Sequence, residues 1–390
     1  MFAGMQNKVR QVVAIIARQF KLTSDSLCFC GSGKKLKECC GVSAGGSLTF
    51  LEEALDAAHA YRQSQKHDIT AVPLGIWKRV EAASLERLPC LYPGCTEKTV
   101  SCHLTPENVL RKNYGTYCKE FRVADTPGSW QFVQLGVGRA GCLPVFCARH
   151  DNGLFKPIDL GPIDFSSAEH RFLLAMKAQA FSLRKTQYLL GIDSQVEIAR
   201  PFLIEASNKL PPGSNVTIDL ARLQEQYICF TSAYTFFEKS IAAYQAQQWA
   251  FYSHFYRRTP STSPLFFAAL TNPCHDFHGE KINTSSETIA MTCTAVTDNG
   301  HLHVLLSCPG EPSKTLYQSF FEQLDKVDDA TFTTIVNNML TESVELLLVP
   351  ATFVLPADGL AKIHAVRHGA QQRPIAKIDL TDVGRAVKFA

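Results

Sequence analysis

The sequence predicts an α+β protein, mostly helical, with two small cysteine-organised modules, a long-helix middle and an α+β C-terminal domain that contains a β-hairpin. Three observations carry this expectation. Apolar residues recur at helical spacing through two long central stretches. Fourteen cysteines concentrate before residue 150 in close groups. In the last third, Asp298-Asn299-Gly300 separates two strand-like runs, and Asn-Gly accepts the positive φ of a tight hairpin turn. The expected organisation is residues 1–46, 47–165, 166–259 and 265–390.

Taken in order, Val9, Val12, Val13, Ile16 and Phe20 form one stripe while Lys8, Arg10 and Arg18 fall off it, the pattern of a short amphipathic helix. A glycine-rich gap (Gly41 to Gly46) follows, then Leu48 to Gln65 and Pro73 to Leu88, both readable as helices. Between Cys90 and His150 the pattern is broken, as in a small metal-organised fold. Phe172, Leu173, Met176, Phe181, Leu183, Tyr188 and Leu189 give a helix one wide apolar face. Beyond Pro211-Pro212-Gly213, a second long helix carries Leu220, Leu223, Tyr227, Tyr234, Phe237, Ile241 and Tyr244 as core. Pro260 to Pro264 reads as a linker. Strands from Thr288 to Thr297 and His301 to Leu306 follow. Helices around Thr315 to Leu324 and Ala330 to Leu340 come next, then a buried strand from Val344 to Val349.

The chain has 390 residues, 46% apolar and 19% charged, with a net charge of +3. That length supports several domains with their own cores, and the composition excludes a disordered chain and a histone-like polycation. No apolar run approaches the roughly 18 residues needed to span a bilayer, and the opening residues lack the layout of a signal peptide. The expectation is a soluble, cytoplasmic protein. In a reducing compartment, grouped cysteines point to metal rather than to disulfides. Walker A and HExxH patterns are absent from the sequence, which argues against P-loop nucleotide hydrolysis.

Cys28-Phe-Cys30, then eight residues, then Cys39-Cys40 supply four soft ligands for tetrahedral Zn2+. Gly31 and Gly33 let the backbone wrap closely around the ion. Lys34, Lys35 and Lys37 are placed to offset the charge of about −2 on a four-thiolate zinc centre. Residues 27–41 closely resemble the SEC-C motif, a small zinc-binding module appended to many unrelated proteins. The resemblance implies a zinc site and a surface facing protein partners or the ribosome. In that family the last ligand is often His; here it is Cys40.

A second ligand set is expected from Cys90, Cys95, Cys147 and His150. Cys90-Leu-Tyr-Pro-Gly-Cys95 is a knuckle turned by Pro and Gly, and Cys147 with His150 sits at the start of an expected helix, the layout of a treble-clef zinc site. Between the pairs, Ser101-Cys102-His103-Leu104-Thr105-Pro106 places a His ahead of a short Pro-containing stretch. Residues 88–160 thereby resemble an HNH-type nuclease core. The resemblance implies His103 as general base on a water attacking a phosphodiester, with Mg2+ or Mn2+ neutralising the charge that grows on phosphate. It departs from the HNH pattern at Cys102, where Asp is usual, and on the last helix, where Asn152 and Asp151 are the nearest candidates. His103 as a zinc ligand, displacing Cys147 or His150, is the alternative.

The run Phe146 to Ile158 also resembles a stretch of uncharacterised bacterial SEC-C proteins. The expected function is therefore a zinc-binding, nucleic-acid-directed protein acting on DNA or RNA as a metal-dependent nuclease in prokaryotic phage defence. Its rival is a non-enzymatic adaptor that binds protein partners or the ribosome through the SEC-C module. Cys274-His275-Asp276-Phe277-His278 reads as a turn with incidental polar residues, and His301 with His303 as one solvated strand face. Cys118, Cys142, Cys229, Cys293 and Cys308 read as small buried apolar residues. A basic tail from Lys362 to Lys388 could touch phosphate or an acidic partner.

Overall fold

The computed structural model describes residues 2–40, 88–123, 130–207, 220–261, 264–271, 276, 291–310, 313–343, 346–355 and 358–359. The glycine-rich gap, the helices expected between Leu48 and Leu88, the Pro211 break, nearly all of the Cys274 to His278 segment and the basic tail lie outside the described residues. The chain forms two compact units, residues 1–99 with 183–236 and residues 100–182 with 237–390. Helices and antiparallel sheets together make it an α+β protein. Among the described residues no helix is long and apolar enough to cross a membrane.

In the first unit, helix α1 (Phe2–Gln19) buries its expected stripe of Val9, Val12, Val13 and Ile16. It stops because Lys21 turns to φ +54° while the Leu22 amide reaches back to the Ala17 carbonyl, a Schellman-type end. Phe20, just past that end, packs at 6.4 Å from Phe29 and 5.8 Å from Tyr227. Tyr227 belongs to the long helix at Leu220–Gln245, and its hydroxyl donates to the Leu27 carbonyl at 2.9 Å. The first cysteine loop is thus fastened by an aromatic trio and a part-buried hydrogen bond, independently of any metal.

In the second unit, β1 (Ser101–His103) pairs antiparallel with β4 (Cys142–Pro144), and α3 (Ala148–Asp159) follows three residues after β4. Between them lie α2 (Glu107–Tyr114), β2 (Tyr117–Val123) and β3 (Trp130–Gly136). The last two join a seven-stranded sheet with β5 (Tyr252–Pro260), β6 (Phe266–Thr271), β7 (Met291–Asp298), β8 (His301–Pro309) and β9 (Leu346–Pro350). The order is β3-β2-β9-β6-β7-β8-β5, and every neighbouring pair runs antiparallel. Asn299 (φ +49°) and Gly300 (φ +74°) make the turn between β7 and β8, as the sequence predicts. Pro260 closes β5 opposite His301, so the expected linker joins two strands of one sheet.

Strand alternation divides the sheet into two covered faces. Phe255, Phe267, Cys293, Val304 and Leu306 meet Tyr317, Phe320 and Leu324 of α6 (Ser313–Lys326) and Phe332, Ile335 and Met339 of α7 (Asp329–Ser343). On the opposite face Tyr252, His254, Tyr256 and Arg258 of β5 stand beside Pro309, Ser307, Leu305 and His303 of β8, respectively. Here Phe165 stacks on His303 at 4.6 Å, and Tyr256 and His303 share a 2.9 Å hydrogen bond. The expected solvated histidine face is therefore half covered: only His301, paired with Arg258, keeps that character.

Helix α4 (Ala168–Ser207) and helix α5 (Leu220–Gln245) contribute to both units. From Phe172 to Arg184 every residue of α4 is buried, so this helix has no single apolar face, unlike the expectation from sequence. Leu189, expected in the core, is exposed, and Leu190 takes the buried position instead. The polar members of the buried run are partnered. Lys177 binds Asp159 at 2.8 and 2.9 Å beneath the Phe155 ring, and Gln179 accepts from Tyr252 and Ser240.

Candidate metal centres and the His103 strand

The first centre starts from a tight loop. The Cys28 amide donates to the Lys34 carbonyl and the Gly31 amide to the Cys28 carbonyl, while Gly31 and Gly33 adopt φ of +73° and +71°. A single 3-10 turn (Leu36–Glu38) then delivers Cys39 and Cys40. The result places the four sulfurs of Cys28, Cys30, Cys39 and Cys40 within 4.8 Å of one another. Cys30 and Cys39 stand 3.4 Å apart, and Cys39 and Cys40 4.0 Å. Ligands about 2.3 Å from a tetrahedral ion are about 3.8 Å apart, a value that the 3.4 and 4.0 Å separations bracket.

Hydrogen bonds among the sulfurs divide their protonation. Cys28, then Cys30 and Cys40, hold the Cys39 thiol far below the usual range, while the same kind of contact, from Cys28 first, pushes Cys40 far above it. Four sulfurs this close share protons, because four thiolates together need a cation. Ser32 adds a hydrogen bond to Cys39 Sγ at 3.2 Å. The lysines are less available than expected: Lys37 and Lys35 both pair with Asp25, at 2.8 and 3.5 Å. A Cβ on Gly31 would sit 2.4 Å from the Gln187 carbonyl oxygen of α4, so glycine is required there by contact as well as by φ.

In the second group, the Cys90 amide donates to Glu97, the Cys95 amide donates to Tyr92, and Gly94 turns at φ +75°. Cys147 caps α3, with His150 one turn in; Cys147 Sγ and His150 Nδ1 are 3.3 Å apart. Ligand atoms of Cys90, Cys95, Cys147 and His150 all lie within 4.8 Å of one another. Three sulfurs and one imidazole form a closed four-ligand set, the composition of a structural rather than an open catalytic centre.

His103 belongs to neither group; its Nε2 faces the Val137 carbonyl at 3.4 Å. Cys102, the residue before it, is fully buried, and its thiol lies near the Val100 and Phe146 carbonyls. Burial, with the nearby charge of Asp151, pushes the thiol up to about 12, so it is neutral at physiological pH. Asp151 lies in the first turn of α3. Burial raises its pKa, opposed first by the Lys177 ammonium, and its Oδ1 is buried without a hydrogen-bond partner. Asn152, one position further, is exposed.

Of the remaining cysteines, Cys118, Cys293 and Cys308 are buried as expected, Cys142 is half-buried, and Cys229 is exposed on α5, against expectation. A strand or helix pattern alone does not settle which helix face a lone thiol takes. Asp276 is buried and accepts from Ser319 and Gln323, a hydrogen-bonded partnership invisible in the sequence.

Two cysteine-rich groups of four could each hold a metal ion. Residues 26–41 match the family model of the SEC-C motif, which is a zinc-binding motif. No curated protein and no solved structure matches the chain.

Proposed function

We propose that the chain is a two-zinc protein whose β1–β4–α3 unit is an HNH-type core directed at nucleic acid. Zinc suits both groups because thiolates and imidazole in tetrahedral sets favour it. The single observation that supports the HNH reading is the position of His103. It ends β1 opposite Cys142 of β4, and the helix that follows β4 begins at the Cys147–His150 ligand pair. Cys90 and Cys95 complete that group. In this reading His103 takes a proton from the water that attacks a phosphodiester, and zinc holds the strand and helix in place rather than reacting. Asp151, whose buried Oδ1 lacks a partner, is the carboxylate we assign to a Mg2+ or Mn2+ ion, in preference to the exposed Asn152.

A second reading has its own support. Cys102 stands where a metal-holding Asp would be, its thiol is neutral, and His103 is outside both ligand groups. A non-enzymatic adaptor that uses the SEC-C module to hold a protein partner requires no cation beside His103. The test incubates the purified chain with single- and double-stranded DNA and with RNA, in Mg2+ or Mn2+. The HNH reading predicts cleavage that His103→Ala abolishes while zinc content stays unchanged. No cleavage by the zinc-loaded chain, with a partner lost on Cys39→Ser, favours the adaptor. Zinc loss in His103→Ala overturns both assignments of that residue's role and makes it a ligand.

A further inference from the structure

Arg184 of α4 has no exposed surface, and its guanidinium reaches toward both cysteine loops. Nη2 donates to the Pro89 carbonyl at 2.5 Å, and Pro89 immediately precedes Cys90 of the second group. Nη1 donates to Gln187 Oε1 at 2.7 Å. Gln187 is the residue on which the first loop rests. Its backbone carbonyl lies 2.4 Å from the Cβ position of Gly31, and its Nε2 lies 3.4 Å from that of Gly33. The loop in question carries Cys30 on one side of Gly31 and leads to Cys39 on the other. Arg184 thus holds the residue before Cys90, and through the Gln187 amide it is linked to the Gly33 end of the first loop, while the Gln187 main chain lies against Gly31.

We propose that Arg184, acting with Gln187, is a positioning residue that couples the two zinc centres, so that filling one raises the affinity of the other. The inference rests on the zinc reading of both groups. Two physical effects produce the coupling. A guanidinium is a rigid planar fork, so the Gln187 oxygen and the Pro89 carbonyl must take compatible positions to satisfy it. An ion that orders the Cys30–Gly33 loop against Gln187 thereby fixes the fork that holds the chain ahead of Cys90. The second effect is charge. Four thiolates around Zn2+ leave about −2, and three thiolates with a neutral imidazole leave about −1. A buried cation is unfavourable by itself and is stabilised by either anion, most by both. Coupling of this kind is reciprocal: each centre strengthens the other by the same factor.

The experiment titrates the full-length chain with zinc against a chromophoric chelator, in wild type and in Cys39→Ser, which removes a ligand of the first centre. The expected result is that Cys39→Ser weakens the surviving centre by roughly tenfold, within the range usual for coupled sites. In Arg184→Met, Cys39→Ser produces no further weakening, because the centres then load independently. Arg184→Lys, which keeps the charge without the fork, retains part of the effect. If Arg184→Met does not fold, Gln187→Leu is the substitute, and it is expected to shrink the tenfold factor. An unchanged second centre in Cys39→Ser overturns the proposal, as does an equal loss with and without Arg184. A wild-type chain that takes up fewer than two zinc ions sinks the two-centre reading itself, whereas two ions without coupling sink only this inference.

Discussion

Gly31→Ala offers a sharp perturbation of the first centre. The residue sits at φ +73°, where an added Cβ costs roughly 1–2 kcal/mol. The same Cβ would stand 2.4 Å from the Gln187 carbonyl oxygen, a backbone atom that cannot rotate away. The loop or α4 must shift by several tenths of an ångström, and overpacking of that kind costs about 1–3 kcal/mol. The sum is a destabilisation of about 2–5 kcal/mol. Gly94→Ala supplies the control: Gly94 has φ +75° but nothing within 4 Å of its Cβ position, so only the conformational part applies. Urea unfolding of the two zinc-loaded variants, compared at constant m-value, reads the difference. Gly31→Ala should lose at least about 1 kcal/mol more than Gly94→Ala. Equal losses would refute the packing of the cysteine loop on α4.

Other outcomes follow from the second unit. Burial, reinforced by Arg171, lowers His254 to about 4 from an ordinary 6.5. The unfolded chain therefore binds a proton that the folded chain refuses, and the stability present above pH 6.5 is lost as pH falls toward 4. Between pH 7 and pH 5 this amounts to about 2 kcal/mol; His254→Gln should lose correspondingly less over that window in urea titrations, and an identical loss would contradict the burial argument. Lys177→Met strands the Asp159 carboxylate and removes a cation over Phe155, and it should cost about 3 kcal/mol. Adding Asp159→Asn should recover part of that cost, so strictly additive unfolding free energies would argue against a coupled pair.

Much of this architecture is legible from local chemistry. The Val9 to Ile16 stripe, the Asn299-Gly300 turn, the α6 and α7 periodicities and the grouping of both Cys/His sets depend on spacing within short windows or on residue types with few uses. The β2–β3 hairpin was less visible because the metal-ligand pattern around it dominates the reading. Its signal is present: Tyr117 to Val123 and Trp130 to Gly136 are rich in aromatic and β-branched residues. The buried run from Phe172 to Arg184 defeats one-face reasoning because Lys177, Gln179 and Arg184 look solvent-seeking until their partners are known. Those partners, Asp159, Tyr252 with Ser240, and Pro89 with Gln187, lie far away in sequence or a single turn along the helix. The burial of Cys102 and the Asp151 beside it, which bear on the proposed HNH-type core, likewise arises from tertiary packing.

Native mass spectrometry of the intact chain, paired with elemental analysis, tests the central claim most directly. The account predicts two zinc ions per chain, with one remaining in Cys39→Ser and one in Cys95→Ser under saturating zinc. A metal-free chain, or a single ion that either substitution removes, would contradict it.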